Sequence, residues 1–182
     1  MGLLERLRQH RPEDAAESAD LQRIVEFVSA HDDPFDRHLA HAHLTASAFV
    51  LSPDGARVLL LHHRKLGRWL QPGGHAEAGE ESGEAVALRE AEEETGIPSL
   101  RLHPEAPRPL DVDVHSIPAR GSEGAHFHLD LRYLVTADAG AALVRLAEES
   151  NALRWFGWEE LAGVGLDAGL RRGLAKARRF FG

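Results

Sequence analysis

The chain has 182 residues, 43% hydrophobic and 27% charged, enough for one domain with a sizeable core and ordinary for a soluble globular protein. Its net charge of −8 argues against a nucleic-acid polymer as the main partner, although bound metal can reverse the local sign around a small phosphate ester. Cysteine is absent, which excludes disulfides and thiolate metal sites; no stretch nears the ~18 apolar residues of a membrane span, and the N-terminus lacks the apolar core of a secretion signal, so a cytoplasmic location is expected.

Residues 3–7 read as a short helical turn before Pro12. From Pro12 the sequence PEDAAESADLQRIVEFVSAH reads as a helix, with Pro and two acids in the first turn. Leu21, Ile24, Val25 and Val28 recur at helical spacing and give it one apolar face. Asp32-Asp33-Pro34 ends it, so residues 1–32 form a helical extension. No repeat or low-complexity linker divides the chain, and residues 1–182 are read as a single domain.

Residues 43–51 read as a strand closed by the turn Ser52-Pro53-Asp54-Gly55. Residues 57–62, with VLLLH at the centre, give its hairpin partner. Residues 99–103 and 110–115 are short strands separated by a Pro-rich loop. Residues 116–124 read as an exposed loop, 125–136 as a strong strand and 153–158 as another, followed by a helical turn at 158–161. The terminal helix spans 167–181, with Leu170, Leu174 and Ala177 on one side. Helices and strands mix without βαβ alternation, which predicts an α/β fold with a mixed β-sheet rather than a doubly wound parallel one.

The most informative stretch is 71–97, QPGGHAEAGEESGEAVALREAEEETGI. A Gly-rich turn leads through an acidic loop into a helix that ends at Gly96, with Pro98 beyond it. Glu90, Glu93 and Glu94 stand at i, i+3 and i+4, which puts three carboxylates on one helix face. Like charges so placed cost an isolated helix roughly 0.2–0.5 kcal/mol per pair, and a hard divalent cation removes the repulsion. A solvated Glu-rich helix is the plainer alternative, because Glu is a good helix former. That alternative gives no reason for Gly73-Gly74, the acidic loop, Arg89 or Gly96 at their positions.

This stretch closely resembles the Nudix box: Gly, five residues, Glu, seven residues, Arg-Glu, an apolar residue, any residue, Glu-Glu, any residue, Gly, apolar. Residues 89–97, REAEEETGI, fit its second half, with Ala91 at the apolar position and Glu92 at the free one. One extra residue separates Gly74 from Arg89. Counted forward the early box acid is Glu80; counted back it is Glu81. The resemblance implies an α/β/α sandwich with a loop–helix–loop catalytic element. It places metal-binding glutamates at Glu90, Glu93 and Glu94, with the Gly74 carbonyl a further ligand. It gives Arg89 the supporting role of orienting carboxylates by pairing with Glu80 or Glu81, the structural acid of the box. Mg2+ is the implied cofactor, with Mn2+ as a substitute, and a homodimer is compatible with the family.

Other candidates are weaker. Glu77 is either a further metal or water contact or a solvated loop acid, and His75 is the histidine nearest the box. In AHFHLDLRY, alternation puts His126, His128, Asp130 and Arg132 on one strand face and Phe127, Leu129, Leu131 and Tyr133 in the core. The polar face either lines the substrate cleft, with Asp130 tethering a histidine, or faces solvent. His-x-His on a strand also binds zinc; without Cys and with a carboxylate site nearby, zinc is the lesser reading. Trp69, Trp155 and Trp158 either stack on a base or, more commonly, pack. Glu148 and Glu149 are remote candidates for a base or metal ligand. Together these features predict a metal-dependent hydrolase cleaving a diphosphate linkage in a nucleoside diphosphate derivative or related organic pyrophosphate. The competing reading is a non-catalytic nucleotide sensor on the same fold.

Overall fold

Alternation along residues 42–51 builds the strand at the centre of the molecule. In the computed structural model, which describes residues 2–121, 124–145, 148 and 150–182, β1 is Ala42–Leu51 and is buried from His43 onward. Leu44, Ala46, Ala48 and Val50 enter one core and Phe49 and Leu51 enter the other. A strand apolar on both sides must lie between two layers.

Around it, β2 (Arg57–His63), β3 (Arg68–Leu70), β4 (Gly73–His75), β5 (Arg101–Leu102), β6 (Asp111–Ile117), β7 (His126–Thr136) and β8 (Ser150–Gly157) complete an eight-stranded sheet. β1 and β7 pair in parallel over ten residues, from Ala42 opposite Phe127 to Leu51 opposite Thr136. The other pairings are antiparallel: β2 and β4 on β1, β3 and β8 on β2, β5 and β6 on β7. The sheet is therefore mixed, as the sequence predicts.

Helices cover both faces. α1 (Leu3–Arg8), α2 (Ala15–Ala30) and α3 (Gly83–Thr95) contribute Leu7, Ile24, Val86, Ala87 and Ala91 to the first core. α4 (Ala168–Arg178) closes the second core with Leu170, Leu174 and Ala177. Each fully buried leucine there contributes roughly 1.5–3 kcal/mol relative to exposure. α2 starts after Pro12 because Asp14 caps it, accepting the Glu17 N–H at 2.8 Å. α4 ends short of residue 181: Phe180 and Phe181 instead pack against the second core and edge-on to His103. Among the described residues no helix is long and apolar enough to cross a membrane.

Four details depart from expectation. β3 and β4 are strands that the sequence reading leaves as connecting chain. β6 runs on to Ile117, into the expected loop, whose residues 122 and 123 lie outside the described part. β8 begins at Ser150. Phe127 is 40% exposed, not core, although Leu129 and Leu131 on the same face of β7 are buried in the first core; Arg23 lies over its ring at 5.3 Å.

Candidate active site

The acidic helix begins where Ser82 caps α3 and ends where Gly96 takes the left-handed conformation, φ +70°, that a side chain would strain. Its apolar positions face the sheet, which leaves the glutamates along the flank beside β4. The three acids are not equivalent. Glu94 is 7% exposed and accepts the Gly73 N–H at 2.9 Å. Glu90 is half-buried against Gly74: a Cβ on that glycine would lie 2.7 Å from its carboxylate. Glu93 has the most open side chain, 48% exposed. Glu92 points to solvent.

Arg89 ties this group together. Its guanidinium donates to Glu80 at 3.0–3.2 Å, to Glu90 at 3.1 Å, to Glu93 at 3.1 Å and to the His75 carbonyl at 2.7 Å. The two registers of the box are separated here: Arg89 bonds Glu80, while Glu81 is exposed beside Asp32 and Phe35. Glu80 also accepts the Glu77 N–H at 2.8 Å, closing the acidic loop on itself. The extra residue thus falls between Glu80 and Arg89. The hydrogen bonds from Arg89, aided by the Glu77 N–H, outweigh burial and hold Glu80 below the usual carboxylate range. Reciprocally, the bond to Glu80 raises Arg89 against the effect of burial. Glu77 itself is exposed at the loop surface.

The donors on this flank are all oxygens, and a carboxylate can lie against β4 only because Gly74 has no side chain. Such a set suits a hard dication such as Mg2+ or Mn2+.

The polar row of β7 sits elsewhere. Gly74 lies opposite Ala46, which belongs to the core under α3, whereas His75 lies opposite Thr45. Thr45 and Asp130 are opposed, as are His43 and His128. Alternation therefore places His75, His126, His128, Asp130 and Arg132 on the side of the sheet away from α3. These side chains therefore lie across the sheet from the box glutamates, and His75 meets the box through its main-chain carbonyl.

Asp130 and Arg132 are engaged in a buried ionic network. Asp130 accepts from Ser47 at 2.7 Å, Thr45 at 3.1 Å and Arg132 at 3.0 Å; its partners among the described residues include no histidine. Arg132, 4% exposed, also pairs with Asp111 at 3.3 Å and Asp113 at 2.9 Å. Burial pushes its pKa down, but the three aspartates outweigh it and keep it charged. Its three nitrogens each face an aspartate, so its charge is directed into this network.

The histidines, in contrast, gather. His75 Nε2 and His126 Nε2 lie 3.1 and 3.2 Å from His128 Nε2. The rings of His43 and His115 stand 4.9 and 5.5 Å from that of His128. Burial, reinforced by His75, His115, His43 and His126, lowers the His128 pKa to about 2. His43 and His115 are not distinguished by the sequence alone, since only strand register sets them opposite His128. Trp69 packs edge-on against Phe156 at 4.8 Å, which gives it a core role. Phe156 is buried beside it, and Trp158 donates to the Gly55 carbonyl at 2.7 Å. Glu149 lies outside the described residues.

A mixed sheet between helices, with a Gly-rich edge strand beside an acid-lined helix, defines the class of protein. Residues 41–178 match the model of the NUDIX domain, and the chain belongs to this family. It is 33% identical over 132 residues to a Mycobacterium tuberculosis protein named "Putative 8-oxo-dGTP diphosphatase 3", covering 69% of this chain and 56% of that protein. The chain thus spans just over half the length of the curated relatives it matches. Among solved structures, a C. elegans Ap4A hydrolase binary complex superposes with a TM-score of 0.58 at 21% identity, covering 75% of this chain and 96% of that one. The MutT NUDIX hydrolase of Burkholderia pseudomallei superposes with a TM-score of 0.56 at 26% identity, covering 75% and 98%.

Proposed function

We propose that this chain is a pyrophosphohydrolase that cleaves a diphosphate linkage in a nucleoside diphosphate derivative or related organic pyrophosphate. The observation that carries this reading is the convergence on Arg89. One guanidinium holds Glu80, Glu90, Glu93 and the end of β4 in a fixed relation, with Glu94 anchored on Gly73 beside them. A merely solvated acidic helix would not draw its carboxylates toward a glycine-rich strand.

Glu90, Glu93 and Glu94, with the main chain at Gly74, would hold a divalent cation, Mg2+ or Mn2+. When bound, such an ion supplies charge neutralisation for a diphosphate and acidifies water. The protein supplies position. Arg89 aligns the carboxylates and restrains the loop through Glu80. Glu93, the most open of the three, is the one a solvent-borne substrate reaches first. Gly74 keeps the strand close, and the exposed Glu77 and the His75 main chain border the entry. In the reaction, a water oxygen forms a bond to phosphorus, the bridging P–O bond breaks, and a proton is released. Two phosphate-bearing fragments result.

The test is an assay with Mg2+ or Mn2+ against a panel of nucleoside diphosphate derivatives, including an oxidised guanine nucleotide because of the name of the 33% identical relative. Turnover on at least one member, reduced about 100-fold or more in Glu93→Gln and Glu94→Gln, is expected. Unchanged activity in both variants would remove the glutamates from the site. Bound metal without turnover on any diphosphate would favour a ligand-sensing domain.

A further inference from the structure

Histidines from four strands converge on the side of the sheet away from α3: His43 on β1, His75 on β4, His115 on β6, and His126 and His128 on β7. The hydrolase reading uses none of their rings. We propose that His43, His75 and His128 form a second metal site, for a borderline transition-metal dication of the zinc type.

Geometry carries the assignment. One ring nitrogen from each of these residues lies within 4.8 Å of the others. The contact of 3.1 Å between His75 Nε2 and His128 Nε2 approaches the separation of about 3.3 Å between two nitrogens bound tetrahedrally to one ion at roughly 2.0–2.1 Å. A proton explains this packing poorly. An imidazole nitrogen has a single in-plane donor or acceptor position, so His128 Nε2 cannot serve both His75 and His126 with one hydrogen bond of good geometry. An ion drawing the lone pairs to one point can.

The surroundings fit as well. His126 Nδ1 lies 2.9 Å from the Gly124 carbonyl and His115 Nδ1 lies 3.0 Å from Asp113. These two histidines flank the three ligands, each held by a group of its own strand or the loop before it. Simple packing is the alternative, but apolar side chains fill such a layer without burying polar ring atoms.

Donor chemistry separates this site from the first. Imidazoles suit zinc, copper and nickel, whereas the oxygens around α3 suit magnesium and manganese. The ion would tie β4, a strand of only three residues, to the long strands β1 and β7. Because Arg89 grips the His75 carbonyl, it would also fasten the strand on which the box glutamates rest.

The experiment uses the full chain, stripped by a chelator and dialysed against Zn2+ in a large excess of Mg2+, with bound metal measured by mass spectrometry. One retained zinc per chain is expected. Its affinity should fall about ten-fold or more in His75→Gln and in His128→Gln and remain unchanged in Glu93→Gln. Co2+ added to the unaltered protein should give the intense visible absorption of a four-coordinate site with three histidine ligands, so the idea stays testable if either histidine variant fails to fold. No zinc retained against Mg2+, zinc retained equally by both histidine variants, zinc lost in Glu93→Gln, or a weak six-coordinate cobalt spectrum would each overturn the assignment. Zinc content and cobalt absorption are read without reference to turnover, so failure here and failure of the hydrolase reading are distinguishable.

Discussion

Arg89 and Gly74 show how single residues set the carboxylate group. Lysine at 89 would keep the charge but lose the planar fork that reaches four acceptors at once. Arg89→Lys should lower kcat/KM about 10–100-fold, with the loss read by steady-state kinetics on whichever diphosphate is turned over. Gly74→Ala puts a methyl group 2.7 Å from the Glu90 carboxylate and must push it aside. Mg2+ affinity, followed by calorimetry, should weaken about ten-fold or more, since displaced ligands cost at least what displaced supporting groups do. Wild-type affinity in this variant would separate Glu90 from the cation. At this scale the sequence was informative about type and spacing but not about partner. Glu80 and Glu81 are chemically identical, and only the loop geometry that brings Glu80 to Arg89 distinguishes them. Arg132 shows the converse: alternation gives its face, but nothing local reveals that Asp111 and Asp113 from another strand pair with it.

Elements were legible where their periodicity ran long enough. β1, β7, α2 and α4 carry many residues of consistent pattern, whereas β3 and β4, at three residues each, have too few to show one. β4 exists because β1 offers it an edge, which is a tertiary cause. The helix stop at Gly96 was readable because the left-handed C-cap is a backbone demand with a residue preference. Gly96→Ala should destabilise the protein by about 1–2 kcal/mol, from the left-handed strain and the crowding of Val144, whose Cβ would lie 2.4 Å from the new atom. For a chain of this size that corresponds to a fall in Tm of roughly 2–4 °C per kcal/mol, measurable by calorimetry. The histidine layer illustrates the limit: four strands contribute to it, and strand order cannot be deduced from strand patterns.

Across the whole molecule, a buried ionic chain joins the N-terminal helices to the sheet. Lys176 bonds Glu17 and lies 3.1 Å from Asp111. Arg172 holds Asp111 at 2.8 Å, and Arg132 carries the connection through Asp113 and Asp130 to Thr45 and Ser47 on β1. Burial pushes the Glu17 pKa up, but hydrogen bonds from His10, Lys176 and the Glu13 N–H outweigh it and bring it to about 2, against an ordinary 4.5. A folded-state pKa below the unfolded one means the stabilisation is complete above about pH 4.5 and is lost as pH falls through about 2. Urea unfolding at pH 5 and pH 3 should show this loss, and Glu17→Gln should show a shallower dependence across the same interval. Glu17 and Asp111 keep His10, Arg172 and Arg132 as partners, so Lys176→Ala should cost less than the roughly 3–5 kcal/mol of a buried charge left with no partner.

The parallel pairing of β1 with β7 also bears on the order in which the molecule is made. Thr45 and Asp130 are 85 positions apart in the chain, so the central ladder cannot zip until the chain through β7 has left the ribosome. Until then the flank of β1 meant for β7 is an open, apolar template for other chains. The hairpin with β2 is local and can form early, while closure of the long loop is the entropically costly step that sets the folding rate. During synthesis, the interval between emergence of β1 and arrival of β7 is when this flank is most exposed to wrong pairing.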